Sequence, residues 1–287
     1  MQSYTTLIEP EALAALLRQA PGQVLVCDCS FNLADHEAGA NAYAAGHIPG
    51  AAYLHLETVL SGPKSGSNGR HPLPAPGALA AEMAALGTTA ATQIVAYDAG
   101  DSMFAARLWW LMRWLGHAKV AVLNGGLAAW RQAGLPLESA PPPARPQGDF
   151  VAASPLVKTF DYAALRAGLG MPGRMIVDAR APDRFRGENE TLDAQGGHIP
   201  GARNRFFKDN LEADGRFKPT ERLRAEFSAV LDGMAPEAVV NQCGSGVTAC
   251  HNLLAMEIAG LSGAALYPGS WSEWSAQPDA QIATGAA

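Results

Sequence analysis

The chain has 287 residues, which is enough for two domains of ordinary size. Its formal net charge of −6 argues against a general nucleic-acid-binding protein, since such proteins carry a basic patch or stripe. Apolar residues make up 48% of the sequence, yet no apolar run reaches membrane-spanning length, because the best candidate, 103–115, is broken by Arg107 and Arg113.

The four cysteines are too few for a disulfide framework and indicate a reducing compartment. Residues 1–4 lack the basic and then apolar pattern of a signal peptide, so we expect a cytoplasmic protein. Cys27 and Cys29 form a Cys-x-Cys pair at the end of a predicted strand, and we interpret them as buried small apolar residues. A metal or redox pair is the alternative, but no second pair accompanies them, and we expect no metal.

An internal repeat organises the chain. Its paired elements are a strand-like run ending in aspartate (24–28 and 175–178), the motif Gly-His-Ile-Pro-Gly-Ala (46–51 and 197–202), a second apolar run (93–98 and 238–243), and a strand, Gly turn and Trp (120–130 and 265–274). Because the order is the same in both halves, we interpret the chain as a tandem duplication.

Helical patterns alternate with these apolar runs, at 76–86, 103–115, 220–231 (with Thr220 as its N-cap) and 248–260. The alternation predicts an α/β fold in which each half is a mostly parallel sheet flanked by helices on both sides. A proline-rich stretch lies between the halves, so we place an N-terminal domain at 1–140, a linker at 141–156 and a C-terminal domain at 157–287. We expect 275–287 to be a disordered tail.

The apolar run of the second half ends in Cys243. A short loop and the start of a helix follow, formed by Gly244, Ser245, Gly246, Val247 and Thr248. Backbone N–H groups of such a loop point at the sulfur and favour the thiolate, which makes Cys243 a candidate nucleophile. The two glycines let the backbone curl around a substrate atom, and the two hydroxyls are potential donors.

In the first half, Asp98 occupies the position of Cys243. We therefore expect the active site in the second half and a structural Asp98 that binds the N–H groups of its own loop. A cysteine-dependent phosphatase would need an arginine where Ala249 stands, which disfavours that reading. A protease or amidase would need a histidine base, but no sequence pattern pairs a histidine with Cys243. A structural role is the default interpretation of four histidines: His47, His71, His198 and His251.

The chain resembles the two-domain sulfurtransferases of the rhodanese superfamily, and most closely the 3-mercaptopyruvate sulfurtransferases, over nearly its whole length. The resemblance rests on the loop at 243–249, the paired Gly-His-Ile-Pro-Gly-Ala motifs, Val-Asp-Ala-Arg at 177–180 and the closing segment 269–274. Thiosulfate-type enzymes usually carry basic residues just after the cysteine, and this loop has none.

The resemblance implies a ping-pong reaction without a cofactor or metal. The Cys243 thiolate takes sulfur from a small-molecule donor, 3-mercaptopyruvate or thiosulfate, and the persulfide passes it to cyanide, a thiol or thioredoxin. Two alternatives stay open: a thiosulfate:cyanide sulfurtransferase, and a low-turnover persulfide carrier. We expect no nucleic-acid or membrane partner.

The resemblance also implies that Arg184 binds the donor's anionic end. The family's second substrate arginine is missing from the shorter stretch 188–195, and Arg70 and His71 are our candidates to supply its contact. His55 stands where the family has an aspartate, so a protease-like relay through that position is not expected.

Overall fold

The computed structural model describes residues 3–286, which divide into two compact units. Unit 1 consists of the residues up to Gly62 together with Pro74–Leu156 and Leu211–Phe217. Unit 2 consists of Pro63–Leu73, Val157–Asn210 and the residues from Lys218 onward. Each half of the sequence therefore contributes one short segment to the unit that the other half mainly forms.

Unit 1 is built on a parallel sheet of five strands, in the spatial order β1-β5-β4-β2-β3. The strands are β1 (Leu7–Ile8), β2 (Val24–Asp28), β3 (Ala52–Tyr53), β4 (Gln93–Tyr97) and β5 (Val120–Leu123). The flanking helices are α1 (Pro10–Gln19), α2 (Ala38–Ala45), α3 (Pro76–Ala85), α4 (Ala105–Trp114) and α5 (Gly126–Gln132). Strands β2, β4 and β5 are buried along their whole length, which explains why they are apolar runs without alternation.

Unit 2 repeats this architecture with the parallel order β6-β10-β9-β7-β8. Its strands are β6 (Lys158–Thr159), β7 (Met175–Asp178), β8 (Arg203–Asn204), β9 (Val239–Gln242) and β10 (Ala265–Leu266). Its helices are α6 (Tyr162–Ala167), α7 (Pro182–Arg186), α8 (Thr220–Leu231), α9 (Thr248–Ile258) and α10 (Ser270–Trp274). The two orders match strand for strand, which confirms the predicted α/β fold and the duplication. Within residues 3–286, none of the helices is long and apolar enough to cross a bilayer.

The histidines of the repeated motif are structural, as expected, and have the same role in both units. His47 shares a hydrogen bond of 2.8 Å with the Tyr43 carbonyl and stacks on that ring. His198 shares a hydrogen bond of 2.9 Å with the Phe185 carbonyl, and its ring stacks on the Phe185 ring. Each histidine thus joins its motif to the preceding helix.

The structure corrects two sequence predictions in unit 2. Helix α8 has the predicted bounds, but Pro219 is at the N-cap position and Thr220 is the first helical residue. The tail prediction was wrong for the described residues, since Trp274 Nε1 donates to the Gln281 carbonyl at 2.9 Å and Ile282 packs on the core. Residues 198 and 283 also exchange two backbone hydrogen bonds. Ala287 lies outside the described residues.

The segment Leu211–Phe217 is fixed in unit 1 by specific polar contacts. The Phe217 N–H donates to Asn124 Oδ1 at 2.9 Å, and Arg216 forms an ion pair with Glu9. A side chain at Gly215 would place its Cβ 2.9 Å from the Gly100 carbonyl oxygen, so the backbones approach too closely for any larger residue.

An ion-pair network centred on Glu226 stabilises the outer side of α8. Its carboxylate accepts hydrogen bonds from Arg205 Nη2 at 2.6 Å, Lys218 Nζ at 3.0 Å and Arg222 Nε at 3.1 Å. Partial burial acts to raise the pKa of Glu226, but the hydrogen bonds from Arg205 and Lys218 outweigh it and lower the pKa to about 2.

Because this pKa is depressed in the folded state, the stabilisation is complete above the unfolded pKa of about 4.5 and is lost as the pH falls toward 2. We expect Glu226→Gln to lower the free energy of unfolding by about 1 kcal/mol near neutral pH, and by progressively less below pH 4.5. Urea unfolding of both proteins across this range measures the difference. Glu221→Gln on the same helix is the control, and an equal, pH-independent loss in both variants would contradict the prediction.

Candidate active site

Cys243 lies at the carboxyl end of β9, the central strand of the unit 2 sheet. Cys243 is 1% exposed, and four residues separate it from the start of α9 at Thr248. In parallel α/β sheets, ligands bind outside the carboxyl ends of the strands. The predicted nucleophile therefore has the expected position in the fold.

The loop after Cys243 is held by backbone contacts with the start of α10. The Cys243 N–H donates to Ser270 Oγ at 3.1 Å, and the N–H of Trp271 donates to the Cys243 carbonyl at 2.9 Å. The Ser272 N–H donates to the Gly244 carbonyl at 2.9 Å. These bonds fix the loop without using the thiol.

Gly246 is required by this geometry. Its φ is +78°, a left-handed conformation that side chains disfavour, and an added Cβ would lie 2.4 Å from the Pro268 carbonyl oxygen. The turn after Cys243 can therefore close only with glycine here.

The turn between β9 and α9, together with the first residue of α9, supplies several backbone N–H groups. Among the described residues, no acceptor is recorded for the N–H groups of Gly244, Ser245, Val247 and Thr248. Helix starts and tight turns of this kind form cradles for anions.

The corresponding turn in unit 1 is occupied by the carboxylate of Asp98. It accepts hydrogen bonds from the N–H groups of Gly100 and Ser102 through Oδ1, and of Phe104 and Ala105 through Oδ2, at 2.9–3.2 Å. This is the structural role expected from the sequence.

The ionisation of Asp98 is set by opposing effects. Burial, and next the neighbouring Asp101, raise the pKa of Asp98 to about 6, while the N–H donors act to lower it. The group is therefore ionised above that pH, and unit 1 carries its own anion at the position where unit 2 carries a thiol.

Two guanidinium groups reach the Cys243 loop. A Cβ built on Gly244 would lie 2.9 Å from Arg70 Nη2 and 3.6 Å from Arg184 Nη1. Arg184 is on α7, whereas Arg70 comes from the Pro63–Leu73 segment. The structure thus brings together the two arginines that the sequence analysis named.

The Pro63–Leu73 segment is fixed against the same α10 start that holds the cysteine loop. The Arg70 N–H donates to Ser272 Oγ at 3.0 Å, and a Cβ on Gly69 would lie 2.7 Å from the Gly269 carbonyl oxygen. The next residue, His71, is buried, and its Nδ1 shares a hydrogen bond of 2.7 Å with Ser245 Oγ. His71, a candidate from the sequence, therefore contacts the loop through Ser245.

Two carboxylates that sequence reasoning missed are paired with these arginines. Glu190 accepts from Arg184 Nη2 at 2.8 Å, and burial, which raises its pKa, is outweighed by the Arg184 hydrogen bonds, so that the pKa is lowered. Asp193 pairs with Arg70 and lies 3.6 Å from Arg184 Nη2. Their position shortly after Arg184 in the sequence was the available signal.

The remaining candidates lie elsewhere. His55 is in unit 1, where its Nδ1 accepts from the Glu57 N–H at 3.1 Å and its ring meets Phe31 edge-on. Cys27 and Cys29 are fully buried, and burial raises the pKa of both thiols, as expected for small core residues. Within residues 3–286, no cluster of metal-ligating side chains is found.

Comparison with known proteins identifies the family. The model of the rhodanese-like domain matches residues 9–133 and 161–277. The chain belongs to the rhodanese family. Its two matches account for the duplication seen in the sequence and in the sheets.

Relatives of known or assigned activity match the rhodanese chain over almost its full length. It is 48% identical over 285 residues to a probable 3-mercaptopyruvate sulfurtransferase of Pseudomonas aeruginosa, covering 99% of each chain. It is 34% identical to the thiosulfate sulfurtransferase of Bos taurus, covering 98% of this chain and 96% of the relative. Among solved structures, SseA of Escherichia coli, a 3-mercaptopyruvate sulfotransferase, is 32% identical with a TM-score of 0.80, covering 94% of this chain and 100% of that one.

We expect Asp98→Asn to destabilise unit 1. The amide nitrogen of asparagine is a donor, so it would face N–H groups of the loop and leave at least one unpaired, at a cost of about 1–3 kcal/mol. Urea unfolding above pH 7, where Asp98 is ionised, measures the loss. Asp35→Asn, at an exposed carboxylate that accepts one N–H bond of 3.2 Å, is the control. Equal stability of the Asp98 variant and the wild type would show that the four bonds contribute little.

Proposed function

We propose that the protein is a 3-mercaptopyruvate sulfurtransferase that works through a persulfide on Cys243. The observation that carries this proposal is the convergence of two guanidinium groups on Gly244, the residue directly after the cysteine, in a loop without charged side chains. The names of the full-length relatives support the reaction class. The catalytic role of the C-terminal domain, residues 157–287, is part of this proposal.

In the first half-reaction, the Cys243 thiolate attacks the thiol sulfur of 3-mercaptopyruvate. The new S–S bond forms as the bond between sulfur and C3 breaks, and the electron pair of that bond stays on C3 as an enolate. The proton of the donor's thiol ends on C3, so that the products are pyruvate and the Cys243 persulfide anion. The N–H groups of Gly244, Ser245, Val247 and Thr248 are proposed to stabilise the charge on the terminal sulfur.

The two arginines are proposed to bind the donor's carboxylate. Guanidinium groups bind carboxylates with paired, charge-assisted hydrogen bonds, and Arg70 would supply the contact of the arginine missing from 188–195. The carboxylate would then hold C3 and its sulfur over Cys243.

His71 and Ser245 are proposed to move the proton. Their hydrogen bond of 2.7 Å connects a buried imidazole to a hydroxyl two residues from the nucleophile. A serine hydroxyl can pass a proton between the donor's sulfur and C3, while the imidazole takes and returns one. Thr248 would contribute its backbone N–H at the helix start.

In the second half-reaction, an acceptor attacks the outer sulfur and releases the Cys243 thiolate. Cyanide leaves as thiocyanate, and a small thiol or thioredoxin would leave as a persulfide. Transfer to a thiol needs a reduced acceptor, which is consistent with the cytoplasmic location that we propose. No cofactor takes part in either step.

A thiosulfate sulfurtransferase is the second candidate, because the Bos taurus relative carries that name and two arginines can also bind a dianion. A low-turnover persulfide carrier has the same site and differs only in rate.

Sulfur transfer to cyanide, measured with each donor, tests the proposal. We expect kcat/KM for 3-mercaptopyruvate to exceed that for thiosulfate by about tenfold or more, because the uncharged loop adds no cation for a dianion, and Cys243→Ser to abolish both activities. A preference for thiosulfate would favour the second candidate. Absence of turnover together with a persulfide on Cys243, detected by mass spectrometry, would favour the carrier.

The role of Arg70 has its own test. We expect Arg70→Ala to lower kcat/KM for 3-mercaptopyruvate by about tenfold to a hundredfold, since a hydrogen bond to a charged group contributes about 1.5–3 kcal/mol. Arg186→Ala removes an exposed arginine that pairs with Glu188 in the same region and is the control. If both substitutions changed kcat/KM equally, Arg70 would have a structural role and not a role in binding the donor.

A further inference from the structure

The carboxylate of Asp193 lies between the two arginines of the proposed donor site. One oxygen pairs with Arg70 Nη1, and the other lies 3.6 Å from Arg184 Nη2. The side chain is only 8% exposed. Asp193 is held there from its own backbone, because its N–H donates to Glu190 Oε1 at 3.2 Å.

The two oxygens of Asp193 contact the arginines in different ways. Among the described residues, Asp193 Oδ2 is a buried oxygen for which no hydrogen-bond donor is recorded. Its contact with Arg184 Nη2, at 3.6 Å, is an ion pair longer than a hydrogen bond, so this oxygen acts on Arg184 mainly through its charge. The arrangement points to a role for the charge itself.

Asp193 leaves the donor-binding edges of both arginines available. Within residues 3–286, no acceptor is recorded for Arg70 Nη2 or Arg184 Nη1, which lie 2.9 and 3.6 Å from a Cβ built on Gly244. Arg184 Nη2, which is bonded to Glu190, is at 3.7 Å from the same point. The bonds to Asp193 and Glu190 use the other nitrogens of the two groups. A donor anion can therefore bind while Asp193 stays in place, and it then experiences the charge of that carboxylate.

The charges around the site nearly cancel. Two guanidinium groups face the carboxylates of Glu190 and Asp193, so hydrogen-bond donors are present without a large excess of positive potential. In such a site, the affinity for a ligand depends mainly on the geometry of its hydrogen bonds. A second negative charge on the ligand adds little affinity.

We propose that Asp193 is a specificity-determining residue that lowers the affinity of the site for anionic sulfur donors in proportion to their charge. This inference rests on the proposed function of the site. Asp193 weakens binding of the dianion thiosulfate about twice as strongly, in free energy, as binding of the monoanion 3-mercaptopyruvate, because the Coulomb energy scales with the charge of the ligand.

The test compares Asp193→Asn with the wild type. Asparagine keeps the shape and an acceptor for Arg70 but removes the charge. We expect kcat/KM to rise roughly threefold to tenfold for 3-mercaptopyruvate, and by about the square of that factor for thiosulfate. Glu188→Gln is the control, because it removes an exposed charge from the same stretch that pairs with Arg186, outside the site. A rise that is equal for both donors, or equal in both variants, overturns the proposal.

A second measurement does not depend on sulfur transfer. Iodoacetate, a monoanion, and iodoacetamide, which is neutral, both alkylate the Cys243 thiolate, and the ratio of their rate constants reports the electrostatic potential at the site. We expect Asp193→Asn to raise this ratio about threefold or more and Glu188→Gln to leave it unchanged. An unchanged ratio in the Asp193 variant overturns the inference even if the enzyme is active.

The two measurements separate the failure of this inference from failure of the proposed function. Absence of turnover with both donors would contradict the proposed function. The ratio of alkylation rates would still show whether Asp193 changes the electrostatic potential of the site. If Asp193→Asn lowers the thermal midpoint, Asp193→Ser replaces it with a smaller neutral side chain, and the same change in the ratio is expected.

Discussion

Backbone N–H groups at the carboxyl end of the central strand need an acceptor, and both units are organised around this requirement. In each unit the central strand, β4 or β9, leads into a tight turn and then a helix, whose first N–H groups have no partner within the helix. In unit 1 the acceptor is the Asp98 carboxylate. In unit 2 the corresponding residue is Cys243, whose thiolate and persulfide would be the acceptors in the proposed reaction.

The exchanged segments serve these two turns in different ways. In unit 1, Gly215 of the Leu211–Phe217 segment lies against the Gly100 carbonyl, directly beside the loop that binds Asp98. In unit 2, the Pro63–Leu73 segment carries Arg70 and His71 to the loop after Cys243. A segment from the opposite half thus lies against each turn, and the one in unit 2 carries the side chains that we propose to act in sulfur transfer.

Local sequence patterns predict the parts of this structure that depend on neighbouring residues. The apolar strands, the cysteine loop and the role of Asp98 follow from such patterns. Strands of two residues, such as β1 and β6, are too short to show any periodicity. The ordered end of the chain depends on Trp274 and Ile282 finding partners in the fold, which composition does not reveal.

The sequence names Cys243, Arg184, Arg70 and His71 as candidates, but it does not show their arrangement. Arg70 and Ser272 are 202 positions apart in the sequence, and their contact depends on the close approach of Gly69 to Gly269. The acids were harder still, because a carboxylate in a polar stretch usually remains solvated. Only the fold shows that Glu190 and Asp193 face two arginines.

The two turns are stabilised by different contacts. Asp98 gives unit 1 four hydrogen bonds to a buried anion, and unit 2 has no carboxylate at the corresponding residue, Cys243, which we propose as the nucleophile. In unit 2 the turn is held instead by the backbone hydrogen bonds of Cys243 with Ser270 and Trp271. Arg180 adds an ion pair with Asp178 and lies over the Trp271 ring. None of these contacts uses the thiol or the guanidinium edges near Gly244. The charge at the proposed donor site can therefore change through a residue such as Asp193 while the loop after Cys243 stays fixed.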